Sequence, residues 1–228
     1  MALNISKGNM YKFITHTLNP IGGKCYHACS YCSTNKLMRY PVIQKKYSGK
    51  ATLIKKELEI DLKCDNFIFV VAQNDLFAQN IKEDWIFKIF DFLKKYDNSY
   101  LFQSKNTKQM ANFVNFMPPK SVVCTTIETN RHYPKIMQNA PTPRERAEGM
   151  NMICDLKKYV TIEPIMDFDM PEMVEFIKMC NATQVNIGAD SGNNNLPEPN
   201  KQKILQLITE LETFTIVEKK KNLKRLIV

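Results

Sequence analysis

Three cysteines near the start of the chain have a spacing that could bind a metal cluster. Cys25, Cys29 and Cys32 follow the pattern C-x₃-C-x₂-C. Thiolates at this spacing within one short loop can occupy three corners of an iron–sulfur cube, which has four irons. Without a fourth local cysteine, one iron keeps open coordination positions. Because an open iron can bind and reduce a small chelating molecule, the spacing predicts a catalytic cluster.

An aromatic residue, Tyr31, stands directly before the third cysteine. With it, the loop reads C-x₃-C-x-aromatic-C and resembles the signature of the radical S-adenosylmethionine (radical SAM) superfamily. The resemblance implies a [4Fe-4S] cluster on the three cysteines and S-adenosylmethionine on the fourth iron. It also implies a reducing partner such as flavodoxin or ferredoxin, and cleavage of S-adenosylmethionine to a 5′-deoxyadenosyl radical.

Structural zinc and disulfides are the alternatives for these cysteines. Zinc sites usually pair C-x₂-C halves or add histidines, and here only His27 lies within the loop. Disulfides fit poorly, because the chain has an odd number of cysteines, 7, and no apolar secretion segment at its N-terminus. The other cysteines are expected to be small buried thiols; they are Cys64, Cys124, Cys154 and Cys180.

Size and composition are typical of one globular domain. The 228 residues are 44% hydrophobic and 24% charged, and no apolar run approaches the length of a bilayer span. We therefore expect a cytoplasmic protein with a single domain over 1–228, a core over about 10–214, and a short basic extension over 215–228. The net charge of +9 raises nucleic acid as a partner. The lysines are spread over the helical faces, apart from one cluster near the end at Lys219, Lys220, Lys221, Lys224 and Arg225. This spread favours an ordinary solvated surface over a nucleic-acid footprint.

Short β-branched or aromatic runs alternate with longer helical patterns, which is typical of a parallel sheet. The predicted strands are Lys12–Thr17, Asn66–Val71, Tyr100–Ser104, Ser121–Glu128, Tyr159–Ile165 and Gln184–Ala189. The predicted helices are Ala51–Leu62, Lys82–Tyr96, Thr107–Met117, Thr142–Leu156, Pro171–Asn181 and Lys201–Phe214. Six such units predict an α/β fold: a partial (β/α)₆ TIM-type barrel with the cysteine loop after the first strand.

Polar residues at the carboxyl ends of the strands are candidates for binding the cofactor. The resemblance implies that Asn74 and Asp75 lie near the amino group of S-adenosylmethionine, and that Glu128 binds its ribose. An Asx turn that caps the next helix is the alternative for the first two. We also expect three further cofactor contacts: Tyr31 beside the adenine, Ser104 after the third strand, and Arg144 near the carboxylate.

The candidate catalytic residues also lie at strand ends; they are Glu163, Asp190, Lys105 and His16. Together with Glu128 and Asp167, the two acidic residues predict a mouth rich in carboxylates. Such a cavity attracts a cation or a row of N–H donors and repels phosphate. The charge pattern therefore favours a small amine-like or guanine-like substrate over a nucleic acid.

Several strand-end runs resemble small phage-type radical SAM proteins; they are 13–17, 74–77, 102–105, 124–131 and 186–191. Within that group the resemblance points to queuine lyases of queuosine salvage. These enzymes cut a C–N bond and release a 7-aminomethyl-7-deazaguanine base. Their substrate carries an ammonium group and a guanine-type N–H edge, and both fit the predicted carboxylates. Two alternatives stay open. One is a radical SAM enzyme acting on nucleic acid, like spore photoproduct lyase, and the other is a non-enzymatic metal-binding module.

Overall fold

A computed structural model describes residues 3–228 as strands and helices that alternate along one twisted sheet. The strands of this part of the chain are β1 (Asn4–Ile5), β2 (His16–Leu18), β3 (Ile21–Gly22), β4 (Thr52–Leu53), β5 (Phe67–Val70), β6 (Ser99–Gln103), β7 (Ser121–Thr126), β8 (Lys157–Ile162), β9 (Gln184–Ile187) and β10 (Ile216–Lys219). Eight of them form the sheet in the order β1-β2-β5-β6-β7-β8-β9-β10. Only the β1–β2 pairing is antiparallel among the described pairs of this sheet.

The helices of the same residues follow the strands in turn. They are α1 (Ser33–Leu37), α2 (Pro41–Tyr47), α3 (Glu83–Leu93), α4 (Thr107–Ala111), α5 (Pro134–Met137), α6 (Pro143–Asn151), α7 (Met170–Cys180), α8 (Lys201–Glu212) and α9 (Lys224–Ile227). Local sequence explains where α6 begins. Thr142 caps it by accepting from the backbone N–H of Glu145, whose side chain in turn accepts from the backbone N–H of Thr142, and a proline occupies the first turn.

Side chains alternate between the two faces of each strand, and this alternation builds two separate cores. On β5, Ile68 and Val70 pack under the helices, while Phe69 packs on the inner face of the curved sheet. The inner cluster fills the barrel with residues from four strands and from the N-terminal segment; it consists of Tyr11, Ile14, Phe69, Leu101, Val122, Cys124 and Tyr159. This packing supports the site from below and leaves the carboxyl ends of the strands open to a cavity.

The predicted α/β partial barrel is confirmed, and five of the predicted strands are found as β5–β9. The strand predicted over Lys12–Thr17 is shorter and begins later, as β2 over His16–Leu18. The predicted helix over 51–62 is wrong. Its first residues pair as β4 with β3, and a short 3₁₀-helix follows over Lys55–Glu59. Glu57 explains the difference, since its buried carboxylate bonds Lys46 and the backbone N–H of Asn19, which holds this segment against the sheet.

Two strands at the sheet edges were not predicted. β1 adds an antiparallel edge, and β10 pairs in parallel with β9, with Ile216 opposite Gln184. The segment 215–228, predicted from the sequence as a basic extension, thus contains a strand of the main sheet near its start. No helix within residues 3–228 is both long and apolar enough to span a membrane.

Candidate active site

The cysteine loop, residues 23–32, leaves β3 and leads into α1. At Gly23 the backbone has a φ of +83°, and a Cβ there would clash with the backbone of Lys50 and Ala51. Only glycine suits this position, because both the left-handed backbone and the close approach exclude a side chain. Further along, the backbone N–H of Ser30 donates to the carbonyl of Ile136 at 2.9 Å. The loop is therefore held at its base and at its middle.

Cys25, Cys29 and Cys32 all line one cavity of about 700 Å³ at the carboxyl ends of the parallel strands. Other predicted site residues line the same cavity; they are Tyr31, Asn74, Asp75, Ser104, Lys105, Glu163 and Asp190. These residues come from the cysteine loop and from the ends of β5, β6, β8 and β9. The fold thus gathers into one space most of the residues that the sequence proposed for the site.

The three cysteines are suited to an iron–sulfur cube. All cysteines of the chain are free thiols, and in such a cube each cysteine binds a different iron, so the sulfurs need not meet at one point. Within residues 3–228, no three His, Cys, Asp or Glu side chains are arranged to hold a single metal ion. Burial raises the pKa of Cys25 to about 12, with a further contribution from Asp75, and burial also raises the pKa of Cys29. Iron would therefore have to displace protons from these thiols.

The other cysteines lie outside this cavity. Cys124 and Cys180 are buried, as predicted, whereas Cys64 and Cys154 are exposed. The exposed pair corrects the expectation of four buried thiols. Both stand in connecting segments, after the 3₁₀-helix and after α6, where no neighbouring element covers them.

A histidine within the loop ties it to β5. His27 Nε2 lies 2.8 Å from Asp75 Oδ2, and both side chains are buried. Asp75 also accepts from Ser104 Oγ at 2.7 Å and from the backbone N–H groups of Phe77 and Lys105. Burial alone would raise the pKa of Asp75, but His27 and the other donors hold it below its usual range. The carboxylate is charged and its oxygens already have partners. Sequence reasoning considered His27 only as a zinc ligand.

Glu128 lies behind the cavity wall, fully buried, and not in the lining. It accepts a hydrogen bond from the hydroxyl of Tyr31 and forms an ion pair with Arg146. Arg146 also donates to the carbonyl of Thr126 at 3.0 Å. Burial alone would raise the pKa of Glu128, but Arg146 and Lys105 lower it. The structure therefore uses this carboxylate to fix the Tyr31 ring, and the predicted contact with a ribose would need its bonds to change.

Lys105 supplies a positive charge close to the cysteines. Its Nζ lies 5.4 Å from the centroid of the Tyr31 ring. Burial alone would lower the pKa of Lys105, but Cys29 and Glu128 raise it, with a smaller contribution from Cys32. Lys105 therefore places a cation at the end of β6, beside Tyr31 of the cysteine loop.

Glu163 is held by residues from both ends of the chain. Its Oε1 accepts from Asn9 at 2.7 Å and from Asn222 at 2.8 Å, and its Oε2 pairs with Lys220. Ser191 lies within 3.4 Å of the same carboxylate. The predicted catalytic residue thus lines the cavity, but its oxygens already join the N-terminal segment to the end of β10.

Asp190 organises the loop after β9. Its Oδ1 accepts from the backbone N–H of Gly192 at 2.8 Å and from the side chain of Asn194 at 2.6 Å. Its Oδ2 accepts from the backbone N–H of Asn194 at 2.5 Å. These contacts form an Asx-type turn, so Asp190 stabilises the cavity rim.

The cavity is richer in lysine than in carboxylate, which corrects the expectation of an acidic mouth. Its described lysines are Lys7, Lys24, Lys36, Lys105 and Lys220, and its described carboxylates are Asp75, Glu163 and Asp190. Asp167, which was expected in the mouth, instead pairs with Arg131 and Lys203 and does not line the cavity. The expectation failed because several of these lysines come from segments distant in sequence from the strand ends.

Besides Glu128, two predicted site residues do not line the cavity. His16 begins β2 and contacts Thr15 Oγ1 at 2.9 Å, so it lies a strand length from the open end. Arg144 points outward on α6, where it pairs with Glu172 and stacks over Phe176. Asn74 does line the cavity, but its side chain donates to the carbonyl of Gly23 at 3.0 Å. It therefore braces the base of the cysteine loop.

Solved structures of spore photoproduct lyase share this fold. The enzyme complexed with a dinucleoside spore photoproduct superposes with a TM-score of 0.58 at 10% identity, covering 92% of this chain and 64% of the lyase. A mutant with bound AdoMet and dinucleoside spore photoproduct gives 0.55 at 10% identity, covering 92% and 66%. A further point mutant gives 0.63 at 10% identity, covering 95% and 80%. This chain thus spans less than two thirds of the first of these lyases.

Comparison with protein families gives one assignment over most of the chain. A search of curated proteins finds no match. The model of the family described as "Protein of unknown function (DUF5131)" matches residues 9–216, a range that includes the cysteine loop and the strands β2 to β9. The chain therefore belongs to the DUF5131 family.

Proposed function

We propose that this protein is a radical SAM enzyme that binds a [4Fe-4S] cluster through Cys25, Cys29 and Cys32. The observation that carries the proposal is the position of these cysteines on one wall of the 700 Å³ cavity, at the carboxyl ends of parallel strands. Functional groups of barrels of this type lie at that end. The fold shared with a lyase structure that contains AdoMet supports the same conclusion.

When bound, the cluster and S-adenosylmethionine would supply a 5′-deoxyadenosyl radical that abstracts hydrogen from a substrate. The chain supplies orientation. Lys105 stands beside Tyr31 and close to the cysteines, where an ammonium suits the cofactor carboxylate. Tyr31, fixed by Glu128, offers its ring to the adenine. We assign the carboxylate to Lys105 because Arg144 points away from the cavity.

The end of β5 is the proposed site for the cofactor amino group. The Asp75 oxygens already accept from four donors, so its carboxylate acts by positioning His27 and Ser104. Asn74 is likewise bonded to the cysteine loop. Backbone carbonyl groups of this strand end are then the acceptors for an ammonium group.

For the substrate, we infer a molecule that contains nucleotides. Lysines outnumber carboxylates among the described lining residues, and each lining carboxylate is already bonded. Such a cavity favours an anion. The neighbouring lyase structures complexed with a dinucleoside support the same class. The enzyme would then be a lyase or repair-type enzyme acting on nucleic acid.

A C–N lyase that acts on a 7-deazaguanine, in the manner of a queuine lyase, is the second candidate. Glu163 and Asp190 favour it, because both carboxylates line the cavity and a guanine-type edge presents N–H donors. To bind such an edge, Glu163 must exchange at least one of its contacts with Asn9, Asn222 or Lys220.

The activity can be tested with anaerobically reconstituted protein, dithionite in place of flavodoxin or ferredoxin, and S-adenosylmethionine. We expect 5′-deoxyadenosine, detected by mass spectrometry. Cys25→Ala, Cys29→Ala and Cys32→Ala should each abolish it, whereas Cys124→Ala and Cys180→Ala, outside the cavity, should keep iron and sulfide content. Bound iron without 5′-deoxyadenosine in the wild-type protein would leave only a metal-binding module.

The same assay distinguishes the nucleotide substrate from the deazaguanine substrate. A thymine dinucleotide lesion and queuine are added in parallel, and substrate-dependent 5′-deoxyadenosine and the product mass are measured. Formation of the aminomethyl deazaguanine base from queuine would favour the second candidate and contradict the first. Stimulation by the dinucleotide alone would support the nucleotide class.

A further inference from the structure

A second cavity opens where the curved sheet is incomplete. It has a volume of about 450 Å³ and is lined by residues 6–14, 218–221, Gln184 and Asn186. Residues 6–14 follow β1 at one edge of the sheet, and residues 218–221 include the end of β10 at the other edge. We call this space the lateral cleft, because it lies in the gap between the two edges.

The lateral cleft is strongly basic. Its lysines come from both ends of the chain, and Glu218 is the one carboxylate among the described lining residues; the lysines are Lys7, Lys12, Lys219, Lys220 and Lys221. Of these, Lys220 is already paired with Glu163. Lys12 pairs with Glu218 at 2.9 Å, and Lys219 pairs with Glu212 at 3.2 Å, both at exposed positions. Exposed ion pairs of this kind contribute about 0–1 kcal/mol. An incoming anion can therefore replace them easily.

The cleft and the cysteine-lined cavity share a wall. Lys7, Asn9, Met10, Tyr11 and Lys220 line both spaces. Glu163 fixes this wall, because it binds Asn9 from one side and Lys220 from the other. The two spaces are therefore adjacent, and two of the residues that they share are lysines.

We propose that the lateral cleft binds the phosphodiester backbone of a nucleic-acid single strand whose reacting nucleotide lies in the cysteine-lined cavity. This inference rests on the proposed function. A small anion would need only one or two of these lysines, whereas a strand carries a charge on each nucleotide. A positively charged groove that follows the phosphate backbone is the usual basis of sequence-independent binding to a single strand.

The test compares two triple variants that remove the same charge. Lys12→Gln, Lys219→Gln and Lys221→Gln together change exposed lysines of the cleft. The control triple, Lys88→Gln, Lys94→Gln and Lys95→Gln, changes exposed lysines on and after α3, outside both spaces. Binding of a fluorescein-labelled 12-nucleotide oligothymidylate is measured by anisotropy from low to high salt.

We expect the cleft triple to bind the oligonucleotide more than tenfold more weakly at low salt, with a salt slope smaller by about 2. The slope follows from about 0.7 per phosphate contact on single strands. The control triple should bind like the wild type. Equal weakening in both triples, or wild-type binding that does not depend on salt, would overturn the proposal.

Two further ligands test the class of polyanion. A labelled glutamate peptide of equal charge should bind at least tenfold more weakly than the oligonucleotide. Thymidine monophosphate should not displace the oligonucleotide at matched phosphate concentration. If the peptide binds as well, or the mononucleotide competes as well, the cleft does not recognise a phosphodiester chain. 5′-Deoxyadenosine formation by the wild-type protein without oligonucleotide tests the proposed function separately. A failure of the radical SAM activity can therefore be distinguished from a failure of strand binding in the cleft.

Discussion

At the scale of single residues, buried contacts in and behind the cavity wall hold the site in place. Arg146 and Glu128 are both fully buried and form an ion pair beneath Tyr31. Asp75 and His27 are joined by a buried hydrogen bond of 2.8 Å between the end of β5 and the cysteine loop. A buried ion pair such as Arg146–Glu128 contributes little net stability, but removing one partner leaves an uncompensated charge. These contacts fix the side chains that face the cavity.

Arg146→Met should destabilise the protein by about 3–5 kcal/mol, because Glu128 would stay buried without its partner. Urea unfolding followed by circular dichroism measures the change. Arg144→Met, two positions earlier on the same helix, is the matched control. Its ion pair with Glu172 is exposed and should contribute less than about 1 kcal/mol. Equal losses in the two variants would contradict a special role for the buried pair.

At the scale of elements, the β3–β4 pairing aims the cysteine loop. The two strands are short, yet they set the position of Gly23, from which the loop departs. Asn74 at the end of β5 and the N–H of Ser30 add contacts from other elements. The loop therefore depends on tertiary neighbours for its shape, although its ligands are adjacent in sequence.

Gly23→Ala should disturb the cysteine loop far more than Gly49→Ala. Both glycines have a positive φ, +83° and +74°, so each substitution carries a backbone cost of about 1–2 kcal/mol. Only at Gly23 would the new Cβ also clash, with the backbone of Lys50, while nothing lies within 4 Å at Gly49. Iron and sulfide content after reconstitution, together with the unfolding temperature, measures the effect. Normal iron loading of Gly23→Ala would show that the loop does not need this geometry.

At the scale of the whole molecule, the two ends of the chain close the open side of the barrel. The N-terminal segment and the residues after β10 meet at Glu163, which bonds Asn9, Lys220 and Asn222. The family model ends at residue 216, before these last two residues. The C-terminal segment is therefore part of the structure around the site, and it brings lysines to both cavities.

Acid should unfold the protein partly through the buried carboxylates. The pKa of Glu128 and the pKa of Asp75 are held below their usual ranges, so each carboxylate contributes stability above its unfolded value, about 4. That contribution is lost as the pH falls through the lower folded values. We expect urea midpoints to fall steeply below about pH 4, and less steeply in the double variant Glu128→Gln, Arg146→Met. Parallel profiles in the two proteins would show that Glu128 does not contribute to acid unfolding.

Local patterns in the sequence predicted much of the fold, and most of the site residues that they proposed line the cavity. Short β-branched or aromatic runs identified β5 to β9, and the strand ends led to Asp75, Lys105 and Glu163. His16 and Arg144 were misplaced because register and helix orientation depend on packing. The helix over 51–62 failed for a similar reason, since pairing with β3 overrode its local preference.

The proposed metal ligands can be identified without a structure, because Cys25, Cys29 and Cys32 lie in one loop and their spacing is a local property. The charge of the site, in contrast, depends on how the chain folds. Glu163 is neutralised by Lys220, 57 positions away, and Asp75 is hydrogen-bonded to His27, 48 positions away. Lysines of both termini likewise converge only in three dimensions. The physical reason is that Coulomb interactions act across space within a few ångströms, regardless of separation along the chain.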